Sequence, residues 1–476
     1  MESAEPSTAT TTSGPFARLL GYFGLEEHET DLTTELLAGV TTFLTMSYIV
    51  VVNPTILVRS SGAISIAGYG QAAVFQMVAV VTILAAVVAT LTMAFYANRP
   101  FAQAPGLGLN AFFAFTVVGA MGVPWQTALA AVVVEGFLFI GLTAVGARSY
   151  IVELFPRPVK LAVGTGIGLF LALIGFAEMQ VVTGSGGTIV GLGSLAQNPV
   201  ALLSLGGLFL TLGLYARGVP GSIILGIVAT TAAGYLLTWA GVVGGQALVP
   251  GTIPSATYDI RPLAGAFLSG FGNVEAFTFA LLVFTFFFVD FFDTAGTLTG
   301  VGQAAGFLDD EGNLPEMEKP LMADAIGTTV GGMLGTSTVT TYIESATGVE
   351  EGGRTGLTAL VVALLFLASL VLVPLAAAVP IYASHIALVV VGVIMLRNVG
   401  ELAWGDLTVA IPAGLTIIVM PFTYNIGYGI AAGLISYPIV KAFAGETRDT
   451  HPVHWAMAAA FVVYFYVRTS GLLTAV

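Results

Sequence analysis

The sequence predicts an all-α, polytopic membrane protein made of two inverted repeats, and three observations carry that expectation. Apolar runs of 17–25 residues recur from end to end of the 476-residue chain, which is 56% hydrophobic and only 9% charged, the pattern of repeated bilayer crossings. Two of the crossings are interrupted, and they hold the same position, third, in each half of the chain. A third crossing, 281–300 (LLVFTFFFVDFFDTAGTLTG), carries Asp290 and Asp293 near its middle.

Taken in order, the expected spans are 34–56, 70–96, 104–119, 125–147, 158–178, 199–216 and 219–241. A Gly/Pro-rich loop (242–272) follows, then 273–301, 320–336, 339–352, 356–379, 383–399, 406–424 and 426–444. These fourteen divide the chain into a cytoplasmic tail (1–30), a first repeat (31–241), an extracellular loop (242–272), a second repeat (273–445) and a C-terminal segment (446–476). The apolar stretch 453–467 is short for a span and fits the membrane surface. The opening MESAEPSTATTTSG lacks the basic and apolar regions of a signal peptide and reads as a disordered tail.

Charge supports the count. With the N-terminus inside, Arg18, Arg99, Arg148, Arg157, Lys160, Arg217, Lys319, Arg354, Arg397, Lys441 and Arg448 fall on the cytoplasmic side, and only Arg59 and Arg261 fall outside. Such a bias is the positive-inside rule at work, and it places a multi-pass protein in the cell membrane with both ends of the fourteen-span core cytoplasmic. The net charge of −13 argues against a nucleic-acid partner. The chain has no cysteine, which removes disulfides and thiolate metal sites, and its four histidines lack metal-ligand spacing. His451 and His454 read as interfacial. No phosphate-binding GxxxxGKS or GxxxxGKT sequence occurs, so ATP-driven transport is unsupported.

The interrupted spans point to function. Residues 99–115 (RPFAQAPGLGLNAFFAF) place Pro100, Pro105, Gly106 and Gly108 ahead of a short helix; residues 335–350 (GTSTVTTYIESATGVE) pass from a β-branched run into a short helix near Glu344. Non-helical backbone at membrane depth needs protein or a cavity to receive it, and interrupted segments at matching places in two halves mark a transporter's binding site. Each half-helix would aim its N-terminus, with free N–H groups and partial positive charge, at the bilayer centre. Asn110 and Glu344 then stand near the half-helix starts, with Asp290 and Asp293 opposite. Asp290, Asp293 and Thr297 share a helix face by spacing. Intramembrane carboxylates are functional by default, and this set, with Phe112, Phe113 and Tyr342 around it, suits a small, flat, polar solute with N–H donors better than an anion. Glu135 reads as a structural partner for another helix, Asp324 as a residue near a span end bonded to a neighbour, and Gly164-Thr165-Gly166-Ile167-Gly168 as close helix packing.

Four stretches carry a resemblance: ELLAGVTTFLTMSYIVVVNPTIL (35–57), APGLGLNAFFAF (104–115), FVDFFDTAGTLTG (288–300) and TSTVTTYIESATGVEEGGRTGLTA (336–359). They resemble the nucleobase–cation symporters of the second type (the uracil/xanthine permease superfamily), and within them the AzgA-like branch that carries hypoxanthine, adenine and guanine. The resemblance implies a core domain of spans 1–4 and 8–11, a gate domain of spans 5–7 and 12–14, short strand-plus-half-helix segments in spans 3 and 10, and dimers formed through the gates. It implies import of purine nucleobases by alternating access, with co-transported H+ or alternatively Na+ and no bound cofactor or metal. Substrate-site positions fall on Asn110, Ala111, Phe112, Asp290, Tyr342 and Glu344, and proton coupling on Asp290, Asp293 and Glu344. The alternatives are a uracil or xanthine carrier, an anion transporter of the same architecture, or, in different classes, an intramembrane enzyme or a channel.

Overall fold

The computed structural model describes residues 20–147, 154–185, 188–242, 248–250, 255–272, 276–309 and 314–469. The first span is α1, Leu32–Met46, opened by Asp31, whose carboxylate accepts hydrogen bonds from the N–H groups of Thr33 and Thr34. It breaks at Ser47 and Tyr48, resumes as α2, Ile49–Pro54, and finishes in a wide turn over Thr55–Ser60. α3, Gln71–Thr92, leads to strand β1, Gln103–Pro105, and the half-helix α4, Leu107–Ala111, which runs on to Ala120. Next come α5, Trp125–Ala144, α6, Arg157–Glu178, strands β2, Val182–Ser185, and β3, Thr188–Leu192, then α7, Pro199–Ala216, and α8, Ser222–Trp239. The second half comprises α9, Ala276–Ala304, α10, Glu318–Leu334, strand β4, Val339–Thr341, half-helix α11, Ser345–Glu350, α12, Gly356–Ser369, α13, Ile386–Met395, α14, Leu407–Thr423, α15, Ile426–Phe443, and α16, Pro452–Thr469.

Among the described residues, ten helices are long and apolar enough to cross a membrane. The other four stretches that the sequence reading counts as spans are shorter: the two strand-plus-half-helix segments, α10 and α14. Large apolar side chains such as Phe209, Val371, Phe422 and Phe443 face outward, where a water-soluble protein would carry charge and where acyl chains cover them at no desolvation cost. The helices associate in two groups. α1, α3, α5, α10 and α12 pack on one another, with α9 against α5; α6, α13, α14 and α15 form the second group, to which α7 and α8 attach.

β1 and β4 meet inside the first group as an antiparallel pair, Gln103 facing Thr341, Ala104 facing Thr340 and Pro105 facing Val339. The ladder extends through Gly106 N–H to Thr338 O and Tyr342 N–H to Ala102 O, both 3.0 Å. The outer edges are closed by hydroxyls. Thr90 Oγ1 donates to Gln103 O and accepts from Gln103 N–H, Thr328 Oγ1 donates to Val339 O, and Ser345 Oγ accepts from Ala102 N–H. Every one of these bonds replaces water that the bilayer core does not supply, which is why the flanking helices carry Thr at these points. Each strand is entered through a left-handed residue, Asn98 (φ 49°) before β1 and Gly335 (φ 102°) before β4. A Cβ at Gly335 would stand 2.8 Å from Leu263 Cβ, so only glycine turns the chain there.

Three regions differ from the sequence expectation. Residues 20–30, read as part of the tail, are packed: Phe23 is fully buried and its ring lies 5.7 Å from that of Phe95; the stretch 1–19 lies outside the described residues. The loop 242–272 is a structured cap in its described part, with Leu263 fully buried, Gly265 N–H donating to Met333 O and Gly270 O accepting from Thr127 Oγ1. The stretch 453–467 lies within the regular helix α16, packed along α15 and touching α9 through the Phe284–Phe461 ring pair at 5.6 Å. The β2–β3 hairpin was not anticipated; its side chains are largely exposed and leave no alternating buried face to read. The Gly164–Gly168 run packs closely, as expected: a Cβ on Gly166 would stand 2.5 Å from Met420 Sδ and one on Gly168 2.8 Å from Gly392 O.

Candidate functional site

A cavity of about 370 Å³ lies where the β1–β4 crossing meets the second helix group. That is the size of sites for small organic molecules. On one side its walls come from four directions: Tyr48 at the break between α1 and α2; Gly106, Leu107 and Gly108 at the start of α4; Asp293, Gly296, Thr297, Gly300 and Gln303 along α9; and Thr340 to Glu344 on the second crossing segment. Arg157, Lys160, Ile167 and Leu171 of α6, with Val391, Met395 and Glu401, complete it from the other group.

The long cavity-lining face of α9 runs at positions 293, 296, 297, 300 and 303, the i, i+3, i+4 stripe of one helix face. Asp293 is on it, half-buried and open to the cavity. Asp290 is not. It is fully buried, and its Oδ1 lies 3.3 Å from Thr294 Oγ1, which is also 2.9 Å from Asp324 Oδ1 and 2.9 Å from Thr340 Oγ1. The spacing argument therefore needs correction: an i, i+3 pair spreads over about 60° of helix, enough here to put one carboxylate on the cavity and the other behind β4. Asp324 does bond a neighbouring helix, but from within α10. Glu135 Oε2 accepts from Thr338 Oγ1 at 3.4 Å, in the segment leading into β4.

On the second crossing segment, Glu344 lines the cavity from the turn ahead of α11, and its Oε1 accepts a hydrogen bond from Tyr48 O–H at 2.5 Å. Tyr342 lines it too, with its hydroxyl donating to Pro105 O at 2.6 Å. Asn110 is fully buried and is not among the lining residues. Its Oδ1 accepts from Ser337 Oγ and its Nδ2 donates to Pro105 O at 3.3 Å, so it ties the two crossing segments together. Ala111 and Phe112 are buried below it; Phe112 packs edge-on against Phe286 at 5.1 Å and faces a separate, smaller apolar pocket. Sequence reasoning missed Tyr48, which sits inside the quoted TMSYIVVVNP stretch without an amphipathic or charge signal to single it out. It also missed Arg157, Lys160 and Glu401 at the cavity's mouth.

The cavity reaches the end of the molecule where α6 begins and α9 finishes, since Arg157, Lys160, Gln303 and Glu401 line it. At the opposite end the two groups are tied. Ser60 Oγ and His385 Nε2 lie 3.1 Å apart and Thr116 Oγ1 donates to Tyr424 O at 2.6 Å, while Arg59 donates to Ala377 O and, at 2.8 Å, to Val379 O in the connector between α12 and α13. The site is thus open at one end and closed at the other.

Residues 33–432 match the model of the xanthine/uracil permeases, described as a permease family. The chain belongs to this permease family. Among its relatives, the permease is 39% identical to the adenine permease AdeP of Escherichia coli, across 97% of this chain and 98% of that one. It is likewise 39% identical to the guanine/hypoxanthine permease PbuO of Bacillus subtilis, across 94% of this chain and all of that one. Among solved structures, the transmembrane domain of the cyanobacterial bicarbonate transporter BicA aligns with a TM-score of 0.56 at 18% identity, over 84% of this chain and 97% of that one. At that identity the likeness speaks for the fold, a helical membrane transporter fold, and not for the solute.

Proposed function

We propose that this permease imports purine nucleobases, with hypoxanthine, adenine and guanine as the solutes, by cation symport and alternating access. The observation that carries the reading is the placement of two carboxylates, Asp293 and Glu344, on separate walls of one cavity at the strand crossing. A neutral purine presents N–H donors on a flat ring, and a carboxylate accepts them with charge-assisted hydrogen bonds. An anion in the same cavity would meet negative charge. The names of the two bacterial relatives quoted above support the same solute class.

In this reading Glu344 accepts a ring N–H, and Asp293, open to the cavity, binds and releases the coupling proton. Asp290 and Asn110 brace the crossing from behind, through Thr294 and Ser337, rather than touching the base. The first helix group acts as the moving core and the second as the gate, with homodimers joined through the gates. The open end, with Arg157 and Lys160, is cytoplasmic, so the protein stands inward-open with its outer ties made. In this reading the protein needs no metal or organic cofactor and works as a carrier rather than an enzyme.

The test is uptake of labelled hypoxanthine and adenine into cells lacking their own purine carriers, with unlabelled purines, xanthine and uracil as competitors and with a protonophore. Competition by purines together with collapse by the protonophore is the expected result. Competition by uracil or xanthine alone would move the protein to the sister carriers, and uptake indifferent to the protonophore but dependent on Na+ would replace the coupling ion.

A further inference from the structure

The Glu344 carboxylate receives one hydrogen bond from a side chain among the described residues, and it comes from Tyr48. The two residues are 296 positions apart in sequence. Tyr48 is brought to the cavity because the first span breaks at Ser47 and Tyr48, between α1 and α2. Its ring is fully buried, held among the core side chains, and its hydroxyl has a single proton to give. That proton goes to Glu344 Oε1. The second carboxylate oxygen, Oε2, has no side-chain donor among the described residues and belongs to a residue on the cavity wall.

We infer that Tyr48 is a positioning and specificity residue: by holding Oε1 it leaves Glu344 one oxygen to offer, and so favours bases that present a single N–H over bases that present an adjacent N–H and amino group. The inference rests on the purine reading above. Hypoxanthine places one N–H on its six-membered ring, and that N–H needs one acceptor. Guanine places N1–H beside a 2-amino group, a pair that grips a carboxylate best through both oxygens at once. With the Tyr48 hydroxyl present, Oε1 is engaged: one of its lone pairs is taken and its direction is fixed. With it absent, the carboxylate turns more freely, which weakens the single bond to hypoxanthine, and both oxygens become available to guanine.

The experiment is equilibrium binding of hypoxanthine and guanine to the purified, full-length protein in detergent, for wild type, Tyr48→Phe, Glu344→Gln and the double variant. Tyr342→Phe serves as comparison, because its hydroxyl bonds a backbone carbonyl on the same cavity wall. Tyr48→Phe is expected to weaken hypoxanthine about tenfold, the weight of one charge-assisted hydrogen bond, and to change guanine by less than about threefold. In the Glu344→Gln background the same substitution is expected to change hypoxanthine binding less than about twofold, because a residue that acts through Glu344 has nothing left to act on. Tyr342→Phe is expected to shift both bases in the same proportion.

Equal weakening of both bases by Tyr48→Phe, or full effect of Tyr48→Phe in the Glu344→Gln background, would overturn the assignment. Should Tyr48→Phe fail to accumulate in the membrane, Glu344→Gln decides alone. A fixed Tyr48 hydroxyl holds the amide oxygen and points the amide N–H2 into the cavity, so hypoxanthine is expected to weaken more than adenine, whose N1 accepts; equal weakening would overturn it. Wild-type protein that binds no purine would bring down the purine reading, and this inference with it, whereas wild-type binding with an unchanged Tyr48→Phe would overturn the inference alone.

Discussion

Glu35→Gln tests how the first span is locked to the second half of the chain. Glu35 is fully buried in α1. Its Oε1 accepts from the N–H groups of Arg354 (2.9 Å) and Thr355 (3.1 Å), and its Oε2 from Thr358 N–H (3.0 Å) and Thr358 Oγ1 (2.6 Å). The carboxylate therefore caps the N-terminus of α12 from another helix, where negative charge is favoured by the helix dipole. In Glu35→Gln one oxygen becomes N–H2. Turned toward Thr358, that group is met by the hydroxyl, which rotates to accept, but the Thr358 N–H loses its charged acceptor and keeps only Thr355 O at 3.3 Å. Losing a hydrogen bond to a charged group costs about 1.5–3 kcal/mol, and losing the charge at the helix start costs about 0.3–1 kcal/mol. The sum is about 2–4 kcal/mol. Thermal inactivation of purified protein in detergent is the assay, since large membrane proteins unfold irreversibly and a rate or midpoint is the usable quantity. The variant is expected to lose several degrees, with Glu35→Asp, which keeps the charge, intermediate. A midpoint equal to wild type would refute the capping argument.

Other substitutions address the site. Asp293→Asn removes the titratable group open to the cavity, and concentrative uptake is expected to fall to equilibration while counterflow exchange persists; accumulation against a gradient at the wild-type level would sink the coupling role. Gly106→Ala would bring a Cβ to 2.5 Å from Thr340 Cγ2 and 3.6 Å from Asp293 Oδ2. Overpacking of this kind costs about 1–3 kcal/mol, so both thermal midpoint and base affinity are expected to drop, and wild-type affinity would contradict the tight crossing. Gly108→Ala would bring a Cβ to 2.6 Å from Ile167 Cγ2 on α6, where the two helix groups face each other. Its expected signature is a lower maximal uptake rate with KM within about twofold of wild type; an unchanged rate would mean the groups do not slide across that contact.

Much of the architecture was legible because the bilayer restricts what a chain can do. Apolar length marked the long helices, and Pro-Gly punctuation at 100–108 and the Thr/Val run at 336–341 marked the crossing strands. The site was legible only in part. Asp293, Tyr342 and Glu344 line the cavity, but helical spacing alone could not separate Asp293 from Asp290, because one turn of helix presents both a cavity and a protein neighbour. Asn110 and Phe112 follow the same logic: both lie close to the half-helix start, yet their side chains turn toward Ser337 and Phe286. Tyr48 and Glu35 were silent for another reason. Their meaning lies in partners 296 and about 320 residues away, and a single sequence records no contact across that distance. The packed part of 242–272 escaped notice because its bonds run through backbone carbonyls, which leave no mark in side-chain composition.

The most direct test of the central claim uses the absence of native cysteine. A single thiol introduced by Thr297→Cys stands on the cavity wall, and one introduced by Phe422→Cys stands on the outer, lipid-facing surface. Alkylation of each by a membrane-permeant maleimide would be timed with and without hypoxanthine or adenine, in protein that still takes up base. Slowing at position 297 and not at 422 is the predicted result, and it would place the base in the cavity beside Asp293 and Glu344. Equal alkylation at 297 with and without a base that is being transported would contradict the account.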